Sequence, residues 1–478
     1  MRFTMQDAPT TRATTAGSAA EAESALRLPA GFRWGAATAA FQIEGATDAA
    51  GRGPSIWDTF TAEPGRVIDG SNALVAADSY LRFRDDVALL AELGASDYRF
   101  SIAWPRVQPA GTGPANAAGL DYYERLVDAL AEAGIAPLPT LYHWDLPQPL
   151  EDAGGWLVRD TASRFADYVG LVLERLGDRV GRWITLNEPA MTTLEGYALG
   201  SQAPGHQLML GALPTVHHQL LGHGLAVAAI RAAAPSVEVG ITNNHTLVVP
   251  AGDSAADLVA AGAFDLIYNR IFADPVLTGA YPDLSGFGLE EFPGLEVGDL
   301  DLLSAPLDFY GVNFYNPTYV AAPGADSEFA AAGLPFEPVA PPDGTPLTGF
   351  DWPIVPGAFT ELLVGLRRDY GDALPPVVIT ENGASFVDEV VEASDGGLAV
   401  HDAERIAYLD GHVRAVAAAI EQGVDVRGYF AWSLMDNFEW AQGYTQRFGL
   451  VHVDFETGGR TRKDSFVWYR DLIAAQPH

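Results

Sequence analysis

Short runs of apolar or β-branched residues recur along the chain, each bounded by turn-forming residues. Runs of this length and composition are typical of buried strands. Most of them end on a polar or aromatic side chain. Eight runs follow this pattern, at positions 32–42, 97–104, 136–144, 182–188, 238–245, 307–315, 376–382 and 426–434.

Helical patterns lie between these runs. Apolar residues recur at helical spacing in 76–94, 120–134, 161–177 and 401–423, each with a glycine at or just past its end as a candidate C-cap. Strands that alternate with helices predict a parallel sheet. Eight repeats without a break in composition favour closure into a single (β/α)8 (TIM) barrel with long βα loops. No glycine-rich dinucleotide fingerprint follows the first run, which weakens the alternative of an open Rossmann-type sheet.

We expect the barrel to occupy residues 28–478 and a flexible leader to occupy residues 1–27. The leader has no apolar run of signal-peptide length, and no later run approaches a membrane span, so we predict a cytoplasmic protein without a membrane partner. The segment 317–357 is rich in proline, glycine and alanine and resembles a linker. In a barrel it is a long loop after the sixth strand, which we expect to shape the entrance to the site.

Composition narrows the classes of ligand and chemistry. The formal net charge of -34 makes nucleic acid and anionic membranes poor partners, whereas a neutral ligand meets no such repulsion. The chain has no cysteine, which excludes disulfides, thiolate nucleophiles and cysteine-ligated metal sites. Lys463 is the only lysine, so nearly every cation is an arginine.

The ends of the runs carry the candidate chemistry. In a barrel they converge on the C-terminal face, where barrel enzymes place their active sites. Carboxylates, neutral hydrogen-bonding groups and flat aromatic surfaces form the mixture that binds sugars, because hydroxyls need donors and acceptors while ring C–H faces pack on indoles. The predicted pocket contains Gln42, Arg99, His143, Trp144, Asn187, Glu188, Asn313, Tyr315, Glu381 and Trp432, with Glu439 and Trp440 just beyond the last run.

Two of these carboxylates can divide the work of cleaving a glycosidic bond. One protonates the departing oxygen while the other attacks the anomeric carbon or activates water, so their proton occupancies must differ at one pH. Arg99 and the Tyr315 hydroxyl are candidates for keeping Glu381 ionised. We therefore predict Glu188 as the proton donor, with its pKa raised by the neighbouring negative charge.

A histidine cluster offers a different chemistry. His217, His218 and His223 lie in "HHQLLGH", within a predicted helix, but not in the HExxH or HxH arrangement of a metal hydrolase. We interpret them as surface or core residues. A metal-dependent barrel hydrolase is thereby disfavoured.

Six blocks of sequence resemble glycoside hydrolase family 1, the retaining β-glucosidase family. They are "FRWGAATAAFQIEGA", "YRFSIAWPRV", "LYHWDLPQPLEDAGGW", "TLNEP", "ITENGA" and the stretch from "GYFAWSLMDNFEWAQGY" to "TRKDS". The blocks occur in the family's order and span residues from about 28 to 475. The resemblance implies a TIM-barrel glycoside hydrolase that uses no metal and no organic cofactor.

The resemblance also implies a role for each matching residue. Glu188 matches the acid/base and Glu381 the nucleophile, and Arg99 and Tyr315 match the groups that hold the nucleophile, with Asn313 in the same supporting shell. Trp352 and Phe448 match aglycone-side positions. The positions that bind the nonreducing sugar are matched by Gln42, His143, Asn187, Trp432, Glu439 and Trp440.

The resemblance leads us to expect a retaining, exo-acting β-glucosidase acting on small β-glucosides or cello-oligosaccharides. Its two carboxyl groups should then lie about 5 to 5.5 Å apart. Glu439 disfavours a 6-phosphoglycosidase because a carboxylate repels phosphate, and Glu188 disfavours a thioglucosidase, which lacks this acid/base. The alternatives are β-galactosidase or β-fucosidase specificity on the same site, and a noncatalytic carbohydrate-binding barrel.

Overall fold

A closed barrel of eight parallel strands forms the centre of the protein, in a computed structural model that describes residues 26–393 and 396–477. Most of the predicted leader, residues 1–25, lies outside the described residues. In chain order the strands are β1 Arg33–Ala37, β2 Asp97–Ser101, β3 Ala136–Tyr142, β4 Arg182–Asn187, β5 Glu238–Asn244, β6 Phe309–Asn313, β7 Val377–Asn382 and β8 Val426–Trp432. Each strand pairs with the next, and β1 pairs with β8, so the predicted (β/α)8 barrel is confirmed.

Helices surround the barrel. All four helices predicted by periodicity are present. Each observed end lies within one to three residues of the predicted one. Gly94 ends the first with a left-handed φ of 74°, whereas Gly177 ends the third with an ordinary right-handed φ of -64°. The principal helices are Ser79–Leu93, Ala117–Glu132, Asp160–Leu176, Leu213–Ala233, Ala255–Asp265, Ile271–Thr278, Pro356–Tyr370, Ala403–Glu421 and Asp464–Ala474.

Side chains fill the barrel interior. Inward-facing residues from several strands form one cluster, which includes Leu138, Ile184 and Phe309. Gly240 of β5 makes room for Phe309 of β6, because a Cβ there would lie 2.6 Å from the phenylalanine ring. A separate and larger apolar layer packs the outer face of the barrel against the helices. The interior is therefore a packed core, and the site can form only at its rim.

Two sequence expectations need correction. The predicted run 32–42 is a strand only at Arg33–Ala37, and a short helix at Ala40–Ile43 carries Gln42 instead. The segment 317–357 is a loop after β6, but it contains its own strands Thr318–Ala321 and Glu337–Val339. Thr318–Ala321 is the middle strand of a small sheet beside the barrel mouth, with Val248–Pro250 on one side and Glu337–Val339 on the other. Short strands of three or four residues carry too little periodicity to be recognised in a proline-rich sequence.

No helix among the described residues combines the length and the apolar character that crossing a membrane requires.

Candidate active site

Glu381 lies near the C-terminal end of β7 and is held from two sides. Arg99 of β2 donates a hydrogen bond of 2.5 Å to Glu381 Oε1, and the Tyr315 hydroxyl donates one of 2.5 Å to Oε2. Only 1% of the Arg99 side chain and 4% of the Glu381 side chain are exposed. Both carboxylate oxygens are thus paired, which offsets the cost of burying this charge.

Glu188 follows the last residue of β4 and has a left-handed φ of 48°. Such a backbone is strained for a residue with a Cβ, and its peptide N–H is anchored by a 2.9 Å hydrogen bond to the Thr242 carbonyl. Asn313 of β6 donates a 2.6 Å hydrogen bond to Glu188 Oε1. Burial raises the pKa of Glu188 well above its usual value, and the negative charge of Glu381 raises it further. The effect of Glu381 was predicted from the sequence, whereas the larger effect of burial was not.

Asn187 connects these two carboxyl groups. Its Oδ1 accepts hydrogen bonds from Arg99, at 2.6 Å, and from Asn313, at 3.1 Å. Its Nδ2 donates to His143 Nε2 at 3.0 Å, and its carbonyl accepts from the Trp144 indole at 3.0 Å. Burial, with the charge of Arg99, lowers the pKa of His143 well below its usual value. A neutral His143 that accepts at Nε2 carries its proton on Nδ1, which has no partner among the described residues.

Gln42 and Glu439 form a second pair of polar side chains. Gln42 Nε2 lies 3.3 Å from Glu439 Oε2 and also donates to Asn437 Oδ1 at 3.0 Å, while Gln42 Oε1 is buried without a partner among the described residues. Burial and the charge of Glu381 raise the pKa of Glu439 to about 8. Unpaired buried atoms of this kind are costly unless a ligand satisfies them. Gln42 and His143 therefore offer an acceptor and a donor for ligand hydroxyl groups.

Aromatic rings stand on two sides of the site. Trp432 and Trp440 each lie with ring centroids 6.0 Å from His143, nearly parallel to it. Phe350, Trp352 and Phe448 form a separate group, in which Phe350 and Trp352 stack at 4.6 Å. Flat apolar faces of this kind suit the C–H faces of sugar rings and of aryl groups.

These side chains line a cavity of about 500 Å³. Of the predicted site residues it is lined by His143, Trp144, Glu188, Tyr315, Trp352, Glu381, Trp432, Glu439, Trp440 and Phe448. The remaining four, Gln42, Arg99, Asn187 and Asn313, are buried and hydrogen-bond to lining residues. The structure therefore brings all of the predicted site residues into one region at the C-terminal face.

One wall of the cavity was missed by the sequence argument. It is formed by Met191, Glu195, Gln202, Asn244, Tyr268, Asn316 and Thr318. Asn244 ends β5, so the rule that strand ends build the site should have included it. The others come from helical and loop segments and from the start of the short strand Thr318–Ala321, none of which has a detectable pattern. The loop after β6 adds Pro338, Phe350 and Trp352 to the opening, in agreement with its expected position.

The histidine cluster lies elsewhere, on the helix Leu213–Ala233. His217 contacts Asp299 at 2.8 Å and the Tyr281 hydroxyl at 3.0 Å, while His218 contacts the Trp156 carbonyl at 2.9 Å. His223 Nδ1 pairs with Thr185 at 2.7 Å. All three are buried, so they are core residues.

Comparison with known proteins shows the family of this chain. The model of glycosyl hydrolase family 1 matches residues 24–477. Beta-glucosidase A of Acetivibrio thermocellus is 43% identical over 94% of this chain and 99% of its own length. A bifunctional beta-D-glucosidase/beta-D-fucosidase of Bifidobacterium breve is 46% identical over 94% and 98%, respectively. The crystal structure of a psychrophilic beta-glucosidase from Micrococcus antarcticus superimposes with a TM-score of 0.89 at 44% identity, covering 95% of this chain and 98% of that one. The chain belongs to glycosyl hydrolase family 1 and is a glycoside hydrolase.

Proposed function

We propose that this enzyme is a retaining, exo-acting β-glucosidase that releases terminal nonreducing β-D-glucosyl residues. The observation that carries the proposal is the contrast between two carboxyl groups in one cavity. Glu381 is paired with a buried arginine, whereas burial and the nearby charge favour the protonated form of Glu188. The relatives named as beta-glucosidases, at more than 40% identity over nearly the full chain, support the same substrate class.

In the first step Glu381 attacks the anomeric carbon. The bond from that carbon to the glycosidic oxygen breaks, and the departing oxygen takes the proton of Glu188, so the aglycone leaves as a neutral alcohol. The Arg99 and Tyr315 contacts hold the Glu381 carboxylate in a fixed position, which lowers the entropic cost of attack.

In the second step water displaces Glu381. The ester formed by Glu381 is neutral, so the charge that raised the pKa of Glu188 is gone, and Glu188 now lacks its proton. It takes a proton from water as the water oxygen bonds to the anomeric carbon and the ester bond breaks. Both carboxyl groups return to their starting state, and the sugar keeps its β configuration.

The sugar itself would be held by the polar groups around these carboxyls. Gln42 Oε1 and His143 Nδ1 would satisfy ligand hydroxyls, and Asn187, fixed by Arg99 and Asn313, is placed to bond the sugar beside the nucleophile. Glu439 would contribute further hydrogen bonds, and Trp432 and Trp440 would supply the apolar surfaces. Trp352 and Phe448 would contact the aglycone.

A second specificity on the same site is also supported. The Bifidobacterium breve relative is named as both a glucosidase and a fucosidase at 46% identity. We propose that β-D-fucosides, and β-galactosides with the same ring configuration, enter this site as alternative substrates. A panel of nitrophenyl glycosides ranks the three by kcat/KM.

The central experiment follows the anomer released first from 4-nitrophenyl β-glucoside by proton NMR. We expect β-glucose, followed by slow mutarotation; α-glucose as the first product would exclude retention. Glu381→Gly should abolish hydrolysis. Glu188→Gln should retain much more activity on substrates with acidic phenol leaving groups than on cellobiose, because only the poor leaving group needs a proton.

The natural substrate and the cellular location are further proposals. We propose that cello-oligosaccharides are hydrolysed in the cytoplasm, and we base the location on the composition of the leader alone. Release of glucose from cellobiose and cellotriose tests the substrate. Activity in the membrane-free lysate, compared with the culture medium, tests the location.

A further inference from the structure

Four glutamates line the cavity, and neither arginine nor lysine is among the described residues that do so. Three of the four carboxyl groups are neutralised. Arg99 balances the charge of Glu381, and burial raises the pKa of Glu188 and, to about 8, that of Glu439. Glu195 forms no ion pair within the described part of the chain, so it carries the uncompensated negative charge of this cavity.

The position of Glu195 is fixed relative to Glu188. It lies in the helical segment Thr192–Leu199, which begins within one turn of Glu188. Ser201 Oγ donates to the Glu195 carboxylate, and the Gln202 peptide N–H donates to the Glu195 carbonyl at 3.1 Å. The first bond holds the carboxylate and the second holds the backbone of Glu195. Neither donor carries a charge that would neutralise the carboxylate.

Glu195 lies in the missed wall of the cavity, together with Tyr268 and Asn244. Partial burial raises the pKa of the Tyr268 phenol, and the negative charges of Glu188 and Glu195 raise it further, so Tyr268 lies within electrostatic reach of both. Asn244 donates a 2.8 Å hydrogen bond to the Tyr268 hydroxyl. A group leaving from the oxygen that Glu188 protonates would therefore pass along a wall that contains Glu195.

We propose that Glu195 is a specificity-determining residue that selects against negatively charged aglycones in the outer half of the cavity. The inference rests on the glycosidase function proposed above. A carboxylate on the aglycone would meet like charge without a cation to pair with, in a partly enclosed space where Coulomb interactions are stronger than in water. Neutral hydroxylated aglycones such as a second sugar are favoured, since Asn244, Gln202 and Asn316 offer hydrogen bonds there.

The test compares a neutral and an anionic substrate that share the same glucosyl group. Values of kcat/KM are measured for 4-methylumbelliferyl and 3-carboxyumbelliferyl β-glucoside, and their ratio is compared between the wild-type enzyme and Glu195→Gln. Intrinsic leaving-group differences cancel in this comparison. In the variant at low salt we expect kcat/KM for the anionic substrate, relative to the neutral one, to rise on the order of fivefold. Wild-type enzyme at about 0.5 M NaCl should shift in the same direction, because salt screens the charge.

Glu174→Gln is the matched control. It makes the same change in net charge on an exposed part of the helix Asp160–Leu176, away from the cavity, and should leave the ratio unchanged. The proposal is overturned if Glu195→Gln leaves the ratio unchanged, if Glu174→Gln shifts it equally, or if the wild-type ratio is insensitive to salt. The salt experiment needs no variant, so a wild-type ratio that is insensitive to salt overturns the proposal even if Glu195→Gln fails to fold. Absence of wild-type activity on the neutral substrate would instead contradict the proposed function.

Discussion

Arg99 and Glu381 form a buried ion pair across the mouth of the barrel, with Nη1 2.5 Å from Oε1 and both side chains at most 4% exposed. The second terminal nitrogen of the same guanidinium lies 2.6 Å from Asn187 Oδ1. One rigid, planar cation therefore orients the proposed nucleophile and a proposed sugar ligand together. An ammonium group lacks the fixed fork needed to hold both.

Arg99→Lys should consequently lower kcat for 4-nitrophenyl β-glucoside by about 100-fold or more, because the carboxylate loses its fixed partner and the Asn187 amide loses a donor. We expect a smaller change in KM. Arg427→Lys is the control, since Arg427 forms an exposed pair with Asp425 at the opposite end of the barrel. Comparable losses in the two variants would show that the effect is not specific to the site.

The hydrogen bond from Asn313 to Glu188 lowers the pKa of Glu188, against the larger upward effect of burial and of Glu381. Removing the donor in Asn313→Ala destabilises the ionised form, so the pKa rises. We expect the basic limb of the profile of kcat/KM against pH to move to higher pH. In Asn244→Ala, which removes a cavity amide not bonded to Glu188, the limb should stay in place. Movement to lower pH in Asn313→Ala would contradict the assignment.

Burial favours the neutral form of several histidines in the folded protein, among them His223, His245 and His412. It lowers the pKa of His223 to about 3 and those of His245 and His412 to about 4. Below pH about 6.5 the unfolded chain binds protons at these positions while the folded protein does not, so the free energy of unfolding should fall toward pH 4 by about 1.4 kcal/mol per pH unit for each histidine. Urea unfolding at a series of pH values measures this slope.

His412→Phe isolates one of these contributions. His412 stacks on Tyr408, its Nδ1 bonds the Tyr408 carbonyl at 2.8 Å, and its Nε2 has no partner among the described residues. A phenyl ring therefore removes one unpaired buried nitrogen and one hydrogen bond while keeping the stacked shape. The variant should show a shallower decline of stability with acid. His401→Phe, at an exposed position, should not. Equal slopes in the wild type and in His412→Phe would exclude His412 as a titrating group.

The only lysine of the chain, Lys463, is fully buried between two carboxylates. Its Nζ contacts Asp388 and lies 2.7 Å from Asp436, which also accepts from the Gly449 peptide N–H. Lys463→Met removes the cation that both acids share, although Arg405 still pairs with Asp388 and Arg447 with Asp436. The change should lower the free energy of unfolding by about 3 kcal/mol. Arg470→Met, at an exposed pair with Asp471, should cost less than about 1 kcal/mol.

The same lysine provides a chemical readout. An amine-directed reagent should label native protein only at its amino terminus, since the Lys463 ammonium is inaccessible and paired. Labelling of Lys463 should appear with unfolding and follow the urea transition. Rapid labelling of Lys463 in the native protein would contradict its burial.

The amino-acid sequence by itself determined the barrel, because each βα repeat has a local period that can be read without knowing its neighbours. It also determined which strand ends carry polar groups, so Glu188, Asn187, Asn313 and Glu381 were found from their positions alone. Their convergence follows from closure of a parallel sheet, which brings every C-terminal strand end to the same rim.

Only the tertiary structure decided how these groups differ. Burial, rather than the charge of Glu381 alone, raises the pKa of Glu188, and burial is a property of the surrounding packing. Gln42 reaches the site from a short helix, and Glu195 faces the cavity from a segment without any local signal. Contacts between residues far apart in the chain depend on the paths of the loops, and the periodicity of hydrophobic residues does not predict those paths. The residues at the centre of the site could therefore be found from the sequence. The pKa values of these residues and the outer wall of the cavity depend on the tertiary structure.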